Sequence, residues 1–172
     1  AAIGNLKFQI PENVIQKAFK TIKLQGRLGI VSKKPLIILD GAHNVDSARV
    51  LKDCIKKIFM VAARLCGRKI YLILAMSSNK DIKGFGNILC PLANKIILTR
   101  FDSQRSADPD KVKEIFKKFK RKVLVVSDLK SAVQKVCNIL SSNDLLCVTG
   151  SFYIIGEAKK YLKNKSCNKL YL

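Results

Sequence analysis

The sequence contains none of the short motifs that mark a self-contained nucleotide or hydrolase site. No G-x-x-x-x-G-K-S/T phosphate loop occurs, no G-x-G-x-x-G follows an apolar run, and there is no G-x-S-x-G elbow. The six cysteines include no C-x-x-C pair, and the single histidine does not complete a zinc site of the usual spacing. Any nucleotide or metal chemistry therefore has to draw part of its site from elsewhere.

Long apolar runs are also missing, so no segment is expected to cross a membrane. The first residues, Ala1-Ala2-Ile3, lack the charged region and the sustained apolar stretch of a signal peptide. We therefore expect a cytoplasmic protein without a membrane partner. The cysteines are scattered, and several lie in apolar runs, which favours reduced thiols over a disulfide framework. Because there is no initiator Met, we expect the sequence to begin inside a longer protein.

Acidic residues are few: 12 Asp and Glu stand against 33 Lys and Arg, for a net charge of +21. One interpretation is a surface for nucleic acid or for an anionic membrane. The other is an ordinary solvated surface with a bias toward lysine. Lysines are spread along every predicted helix and have no aromatic residues interleaved as stacking platforms, which favours the second interpretation. We expect no nucleic-acid partner.

Five short runs are apolar throughout and alternate with segments of helical spacing. Continuous apolarity is typical of strands covered on both faces, and the alternation is typical of βαβ units in a parallel sheet. The sequence therefore predicts an α/β fold, with a Rossmann-like, mostly parallel sheet of about six strands flanked by helices on both faces. Residues 26–32 could add a further edge strand. The five runs are 36–39, 70–76, 96–99, 123–126 and 145–149.

The apolar spacing also locates the helices. Glycines and a proline between residues 81 and 93 predict a short or irregular helix there. Residues 12–24 form one amphipathic helix without a strand partner, so we divide the chain into a leading segment, 1–24, and a domain, 25–172. The other predicted helices are 45–62, 109–120, 130–140 and 152–163.

The turn Asp40-Gly41-Ala42-His43-Asn44 closes the first apolar run and opens a helix. Ligands of α/β sheets usually bind at such strand-to-helix turns. Crowding of a carboxylate, an imidazole and an amide there points to function. Each has a structural alternative, since a lone histidine is often structural, an aspartate often forms turns and Asn44 suits a helix N-cap. Asp40 suits a ligand hydroxyl better than a phosphate, because like charges repel.

Three more loops place polar side chains at strand ends. Arg27 precedes the possible edge strand, and its guanidinium offers a phosphate a bidentate fork that lysine lacks. Lys80 follows the second apolar run, and Thr149-Gly150-Ser151 follows the last. The carboxyl ends of parallel strands share one edge, so we expect these groups to form half of a nucleotide site there. A surface cation is the alternative for Arg27.

In their order and spacing, these residues resemble the C-terminal domain of folylpolyglutamate synthase and dihydrofolate synthase, members of the Mur ligase superfamily. The resemblance covers essentially the whole chain. The family usually has Pro-Gly-Arg where this chain has Gln25-Gly26-Arg27, a change expected to affect linker stiffness more than chemistry. The segments that carry the resemblance are Gly26-Arg27, Leu39 to Asn44, Lys80-Asp81, Leu98-Thr99-Arg100 with Arg105, and Val148 to Tyr153.

The resemblance implies an ATP-dependent amide ligation. A folate or pteroate carboxylate is phosphorylated, and the α-amine of L-glutamate attacks the acyl phosphate. By this resemblance Arg27 reaches the phosphates of ATP, Asp40 binds the ribose hydroxyls, and His43 lies near the phosphates and the incoming amino acid. Lys80 and Ser151 would hold the glutamate carboxylates, while Gly41 and Asn44 shape the turn and cap the helix.

The resemblance also implies a division of labour within a longer parent chain. Residues 1–24 would be the tail of a central ATPase domain plus a linker, and residues 25–172 the glutamate ligase domain. The phosphate loop and the ligands of Mg²⁺ would belong to the central domain, so no metal ligand is expected in this chain. We expect the chain to be inactive alone.

Two alternatives stay open. One is the C-terminal domain of a peptidoglycan-precursor Mur ligase, which shares the fold and the reaction but not the segment from Leu39 to Asn44. The other is a basic nucleic-acid-binding module on a Rossmann-like scaffold. A ligase needs Arg27, Asp40, His43 and Ser151 on one edge, whereas a nucleic-acid binder needs its lysines on one face.

Overall fold

The computed structural model describes residues 11–21, 26–61 and 68–163. Helices and strands alternate along most of this part of the chain, as the apolar pattern predicts. The helices are α1 (Glu12–Thr21), α2 (Val45–Val61), α3 (Ile82–Leu89), α4 (Pro109–Phe116), α5 (Leu129–Cys137) and α6 (Phe152–Lys163). The strands are β1 (Gly29–Lys33), β2 (Leu36–Asp40), β3 (Ile70–Leu74), β4 (Lys95–Leu98), β5 (Lys122–Val125) and β6 (Leu145–Thr149).

The six strands form one sheet in the order β1-β2-β6-β3-β4-β5. β1 is the edge strand expected from residues 26–32 and pairs antiparallel with β2, whereas the other pairs are parallel. The predicted α/β fold with a mostly parallel sheet is therefore confirmed. Asp40 is in register with Thr149, and Thr149 with Leu74, so β2, β6 and β3 end together at one edge. We call this edge, which continues through the ends of β4 and β5, the carboxyl edge, and the opposite one the amino edge.

Two apolar clusters cover the two faces of the sheet. Successive strand residues alternate between the clusters, as Ile37 and Ile38 do in β2, because side chains of a strand point alternately to opposite faces. Helices α2, α3 and α4 bury apolar residues in one cluster, and α5 and α6 bury theirs in the other. Both faces are thus covered, which explains why the strands are apolar without alternation.

Three of the helices begin at the carboxyl edge with an aspartate cap. Asp81, Asp108 and Asp128 each accept a hydrogen bond from a backbone N–H in the first turn of α3, α4 and α5. The stretch that contains Gly84 and Gly86 forms the short helix α3, as its glycines predict. None of the helices in the described ranges combines the length and the apolar character of a membrane span.

The cysteines depart from the sequence prediction at one position. Cys54, Cys90 and Cys147 are free thiols, and burial raises the pKa of Cys90 to about 12. Cys137 is disulfide-bonded. The expectation of reduced thiols is therefore wrong for Cys137, because disulfide formation depends on how closely two cysteines approach in the fold, which their spacing in the sequence does not show.

Candidate functional site at the carboxyl edge

Asp40 fastens the turn before β1 to the end of β2. One carboxylate oxygen accepts a hydrogen bond from the Leu28 N–H at 2.7 Å, and the other accepts one from the Ala42 N–H at 2.9 Å. The Gly41 N–H also donates to the Gly26 carbonyl at 2.7 Å. Asp40 is only 7% exposed, so its carboxylate organises two loops that are separate in sequence.

The turn that carries Arg27 has an unusual backbone. Gly26 has a φ of 74° and Leu28 a φ of 42°, both in the left-handed region. That region is natural for glycine but uncommon for leucine and costs free energy. The hydrogen bond from Leu28 to Asp40 helps hold this conformation. Arg27 lies between these two residues, and its side chain is exposed at the carboxyl edge.

A reciprocal pair of hydrogen bonds begins α2. Asn44 Oδ1 accepts from the Ser47 N–H at 2.8 Å, while Ser47 Oγ accepts from the Asn44 N–H at 3.1 Å. This arrangement is a capping box, with Asn44 at the N-cap. Ser47 Oγ also accepts from the His43 N–H at 3.1 Å. The cap therefore fixes the backbone of His43, which carries the imidazole.

The orientation of His43 follows from one contact of its ring. Nδ1 lies 2.8 Å from the Gly41 carbonyl oxygen. A carbonyl oxygen only accepts, so we assign the proton to Nδ1. In the neutral ring Nε2 is then the acceptor. Next to the ring lies Phe152, whose ring centroid is 5.8 Å from that of His43 and 4.9 Å from the guanidinium carbon of Arg27.

The β6–α6 turn joins the same edge. The Gly150 N–H donates to the Ala42 carbonyl at 2.9 Å, which ties this turn to the β2–α2 turn. Gly150 has a φ of 112°, and a Cβ there would lie 2.4 Å from the Ala75 carbonyl oxygen, so only glycine fits. Ser151 is buried, and its Oγ accepts from the Tyr153 N–H at 3.2 Å. Within the described residues, its hydroxyl donates no hydrogen bond.

Lys80 lies in the next loop along the edge, after β3. Its side chain is exposed and makes no hydrogen bond or ion pair within the residues described. The following Asp81 caps α3 by accepting from the Gly84 N–H at 2.7 Å, and Gly84 packs close to Val45 at the start of α2. The Lys80 loop is therefore adjacent to the β2–α2 turn, although no contact joins the ammonium to His43.

Arg27, Asp40, His43 and Ser151 thus come together at the carboxyl edge, and Lys80 lies on the same edge one loop away. Two residues were missed by the sequence interpretation. Ser47 could have been found, since Asn44 and Ser47 have capping-box spacing. The contacts of Phe152 had no signal in the sequence apart from Gly26 and Gly41, which leave room for its ring.

A cavity of about 260 Å³ opens beside Arg27 and Asp40. Leu28, Val50 and Leu51 give it apolar walls, and Arg27 and Asp40 are its charged lining residues. A larger groove of about 550 Å³ lies at the ends of β4 and β5 and contains none of the predicted site residues. Within the described ranges, no group of three or more His, Cys, Asp or Glu is arranged to hold a metal ion.

The sequence is similar to those of relatives of known activity. A dihydrofolate synthase/folylpolyglutamate synthase of Buchnera aphidicola subsp. Acyrthosiphon pisum is 30% identical over 88% of this chain and 35% of its own. The corresponding enzyme of Buchnera aphidicola subsp. Baizongia pistaciae is 28% identical over 98% of this chain and 38% of its own. The chain therefore spans little more than a third of the length of these curated relatives.

Solved structures share the fold. Escherichia coli FolC in complex with DHPP and ADP matches with a TM-score of 0.78 at 21% identity, over 92% of this chain and 36% of that one. A bifunctional folylpolyglutamate synthase/dihydrofolate synthase of Yersinia pestis, complexed with AMPPNP and Mn ion, matches with a TM-score of 0.75 at 23% identity, over 91% and 35%. At these identities the likeness shows the fold alone.

A family model decides the classification. The model described as "Mur ligase, glutamate ligase domain" matches residues 26–152, from the Arg27 turn to Phe152. The match includes every loop that we place at the carboxyl edge, and it covers well over half of the chain. The chain belongs to the Mur ligase family and contains its glutamate ligase domain.

Proposed function

We propose that this chain is the C-terminal, glutamate-side part of an ATP-dependent ligase that joins L-glutamate to a folate or dihydropteroate carboxylate through an acyl phosphate. The observation that carries the proposal is the carboxyl edge, where Arg27, His43 and Ser151 gather around a turn fastened by Asp40. Nearly two thirds of the length of the relatives lies outside the match. That length is where a phosphate loop and a central ATPase domain would lie.

Arg27 and His43 suit the nucleotide phosphates. The guanidinium is exposed and makes no ion pair within the described residues, so its charge is available to an anion. Arginine near a transferring phosphoryl group stabilises the charge that develops in the transition state. His43 holds its Nδ1 against the Gly41 carbonyl, which leaves Nε2 for a ligand. The Yersinia pestis enzyme binds AMPPNP, which supports nucleotide binding here.

Asp40 has two roles in the proposal. It holds the Arg27 turn through the Leu28 N–H, and it accepts hydrogen bonds from the ribose hydroxyls. Each carboxylate oxygen has two lone pairs, so an oxygen bound to one backbone N–H retains capacity for a hydroxyl. The cavity beside Arg27 and Asp40, with its apolar walls, supports a ligand that presents hydroxyls to a buried carboxylate.

Lys80, Ser151 and His43 are our candidates for glutamate binding. Lys80 supplies a point charge, and Ser151 a hydroxyl at the start of α6, where the backbone N–H groups favour an anion. A related bifunctional synthase structure contains Mn, AMPPNP and L-glutamate, which supports glutamate as the amino acid. Three further points stay predictions. They are the position of the Mg²⁺ ligands in the central domain, the domain boundary between residues 24 and 25, and the cytoplasmic location. Residues 22–25 lie outside the described part of the chain.

The test uses the full-length parent protein. ADP release on adding a folate substrate, ATP and glutamate measures turnover. Arg27→Ala should reduce turnover by about a hundredfold or more, the scale of losing one transition-state donor. Lys34→Ala, an exposed cation beyond the end of β1, is the matched control and should retain activity. Unchanged turnover in Arg27→Ala would refute the role assigned to the guanidinium.

The isolated chain should bind ATP only weakly, with a Kd of about 1 mM, because half of the contacts are missing. Isothermal titration of this chain with ATP measures that affinity. A micromolar Kd would show that this domain forms a complete nucleotide site and would contradict the proposed sharing with a central domain. No turnover is expected in the same sample.

A peptidoglycan-precursor ligase is the second candidate. A UDP-N-acetylmuramoyl-L-alanyl-D-glutamate–2,6-diaminopimelate ligase of Buchnera aphidicola subsp. Baizongia pistaciae is 28% identical over 93% of this chain. The segment from Leu39 to Asn44 favours the folate enzymes. ADP release with a muramoyl peptide and diaminopimelate, but not with folate and glutamate, would reverse the choice.

Nucleic-acid binding has less support. Exposed lysines lie on both faces of the sheet, on α2 and α4 on one face and on α5 and α6 on the other. A nucleic-acid binder would concentrate its cations on one face.

A further inference from the structure

The ring of Phe152 occupies the space between the two turns that carry Arg27 and His43. A Cβ added at Gly41 would lie 2.5 Å from Phe152 Cε1, and one added at Gly26 would lie 3.0 Å from the same ring. Gly26 needs glycine for its φ of 74° in any case, but Gly41 does not have a positive φ. The ring of Phe152 is therefore what excludes a side chain at Gly41.

The same ring contacts both candidate phosphate ligands. The guanidinium carbon of Arg27 lies 4.9 Å from the ring centroid, within the range of a cation–π interaction. The imidazole of His43 lies 5.8 Å away at an angle of 54° between the rings. The guanidinium makes no hydrogen bond or ion pair in the part of the chain that the structure describes, so this contact is the one that restrains it.

We propose that Phe152 is a positioning residue, which sets the separation of the Arg27 guanidinium and the His43 imidazole before a ligand binds. The proposal rests on the proposed function, in which both groups face the nucleotide phosphates. An arginine side chain has many rotamers in solution, and restricting them beforehand reduces the entropy lost on binding. Phe152 is 45% exposed, so this ring contributes less to the core than a fully buried phenylalanine.

The first test is spectroscopic and does not depend on activity. His43 is the only histidine, so its imidazole signals are unambiguous in NMR spectra of this chain. Phe152→Leu keeps an apolar side chain but removes the ring, and it should shift the His43 signals and increase the mobility of the Arg27 Nε–H in ¹⁵N relaxation. Arg49, which pairs with Asp46 on the surface, should keep its mobility.

Tyr153→Leu is the matched control. Tyr153 is the next residue and is 55% exposed, but its ring stacks on Phe101 at 5.2 Å and makes no aromatic or cation–π contact with His43 or Arg27 within the described residues. Its replacement should leave the His43 signals and the Arg27 mobility unchanged. Equal changes in both variants, or no change in Phe152→Leu, would overturn the proposal.

A double-mutant cycle tests the contact itself. Gly41→Ala adds one methyl group where the ring lies, so it should displace the ring and shift the His43 signals. In a Phe152→Ala background the same methyl group has no ring to meet, and its additional effect should be largely lost. An additive effect of the two changes would overturn the proposal, because Gly41 would then act independently of Phe152. Thermal unfolding of each variant checks that the fold is retained.

Turnover of the full-length parent separates this inference from the proposed function. Phe152→Leu should lower kcat/KM for ATP by about fivefold, the scale of one cation–π contact, while Tyr153→Leu stays within about twofold. A severe loss in Arg27→Ala with none in Phe152→Leu would overturn the positioning role and leave the proposed function standing. No loss in either variant would refute the role assigned to the Arg27 guanidinium, whereas no ADP release by the unaltered parent with a folate substrate and glutamate would refute the proposed function.

Discussion

Asp40 and Asp144 are buried carboxylates at opposite edges of the same sheet, and each accepts two backbone hydrogen bonds. At the amino edge, Asp144 accepts from the Lys69 and Ser141 N–H groups at 2.8 Å each. At the carboxyl edge, Asp40 accepts from Leu28 and Ala42. The residues that Asp144 holds have no positive φ, whereas Leu28 does. A buried carboxylate with two backbone hydrogen bonds thus closes ordinary loops at the amino edge, whereas at the carboxyl edge it holds a turn whose backbone conformation costs free energy.

The difference supports the role that we propose for Arg27 at the carboxyl edge. A non-glycine residue in the left-handed region persists only when its surroundings impose it, and such residues cluster at functional sites. Leu28 is imposed by the carboxylate of Asp40, and the residue next to it is Arg27. The amino edge has its own cations, Lys33 and Lys34, beside the buried Asp144. It also has one non-glycine residue of positive φ, Lys120 before β5, but the Lys120 N–H donates to the Lys117 carbonyl at the end of a helical turn and not to a carboxylate.

Replacing each carboxylate gives the largest expected effects. Asp40→Ala and Asp144→Ala each leave two backbone N–H groups without their charged acceptor, so each should lower the free energy of unfolding by about 3 kcal/mol. Urea unfolding followed by circular dichroism measures both. Only Asp40→Ala should also weaken nucleotide binding by the parent protein. Similar nucleotide affinity in the two variants would remove the functional distinction between the edges.

A smaller pair of changes compares two asparagines. Asn44 Oδ1 accepts from the Ser47 N–H at the carboxyl edge, and Asn94 Oδ1 accepts from the Ile70 N–H at the amino edge. Each change to alanine should cost about 1 kcal/mol of stability in urea unfolding. Asn44→Ala should also shift the NMR signals of His43, because Ser47 Oγ bonds both backbones. Asn94→Ala should leave those signals in place.

The smallest effect concerns pH at the carboxyl edge. Hydrogen bonds from the Ser131 backbone and side chain, with lesser contributions from Ser127 and Lys130, lower the pKa of Asp128 below its usual value. A lowered pKa in the folded state means that the carboxylate stabilises α5 above the pKa of the unfolded chain, about 4, and that this stability is lost as pH falls through the folded pKa. The difference in Tm between the unaltered chain and Asp128→Asn should therefore shrink on acidification below about pH 4. A difference in Tm that does not change with pH would show that the charge of Asp128 does not contribute to the cap.

The fold could be predicted closely because the apolar runs are continuous. Strands that are covered on both faces are apolar at nearly every position, so they stand out in the sequence as continuous apolar runs. Strands β2 to β6 lie where those runs predict them. Helix ends were less well defined, as in α4, which ends at Phe116 and continues as a 3₁₀ turn through Phe119. Capping and the close of a turn depend on local geometry that an apolar pattern does not specify.

The candidate site could be predicted in part. Arg27, Asp40, His43 and Ser151 lie at strand ends, and in parallel strands all such ends meet at one edge, so their gathering follows from the topology. The contacts of Phe152 could not be predicted, because the glycines that accommodate its ring are distant in sequence. The disulfide at Cys137 escaped prediction for the same reason, since it depends on proximity in the fold.

The sequence alone determined the alternation of strands and helices, and with it the edge at which polar groups collect, because apolar periodicity is a local property of the chain. Tertiary structure alone decided that Asp40 accepts a hydrogen bond from the Leu28 N–H, and that one aromatic ring contacts both the guanidinium and the imidazole. These contacts join segments far apart in sequence. They exist only once β1 has paired with β2 and β2 with β6, which brings those segments side by side.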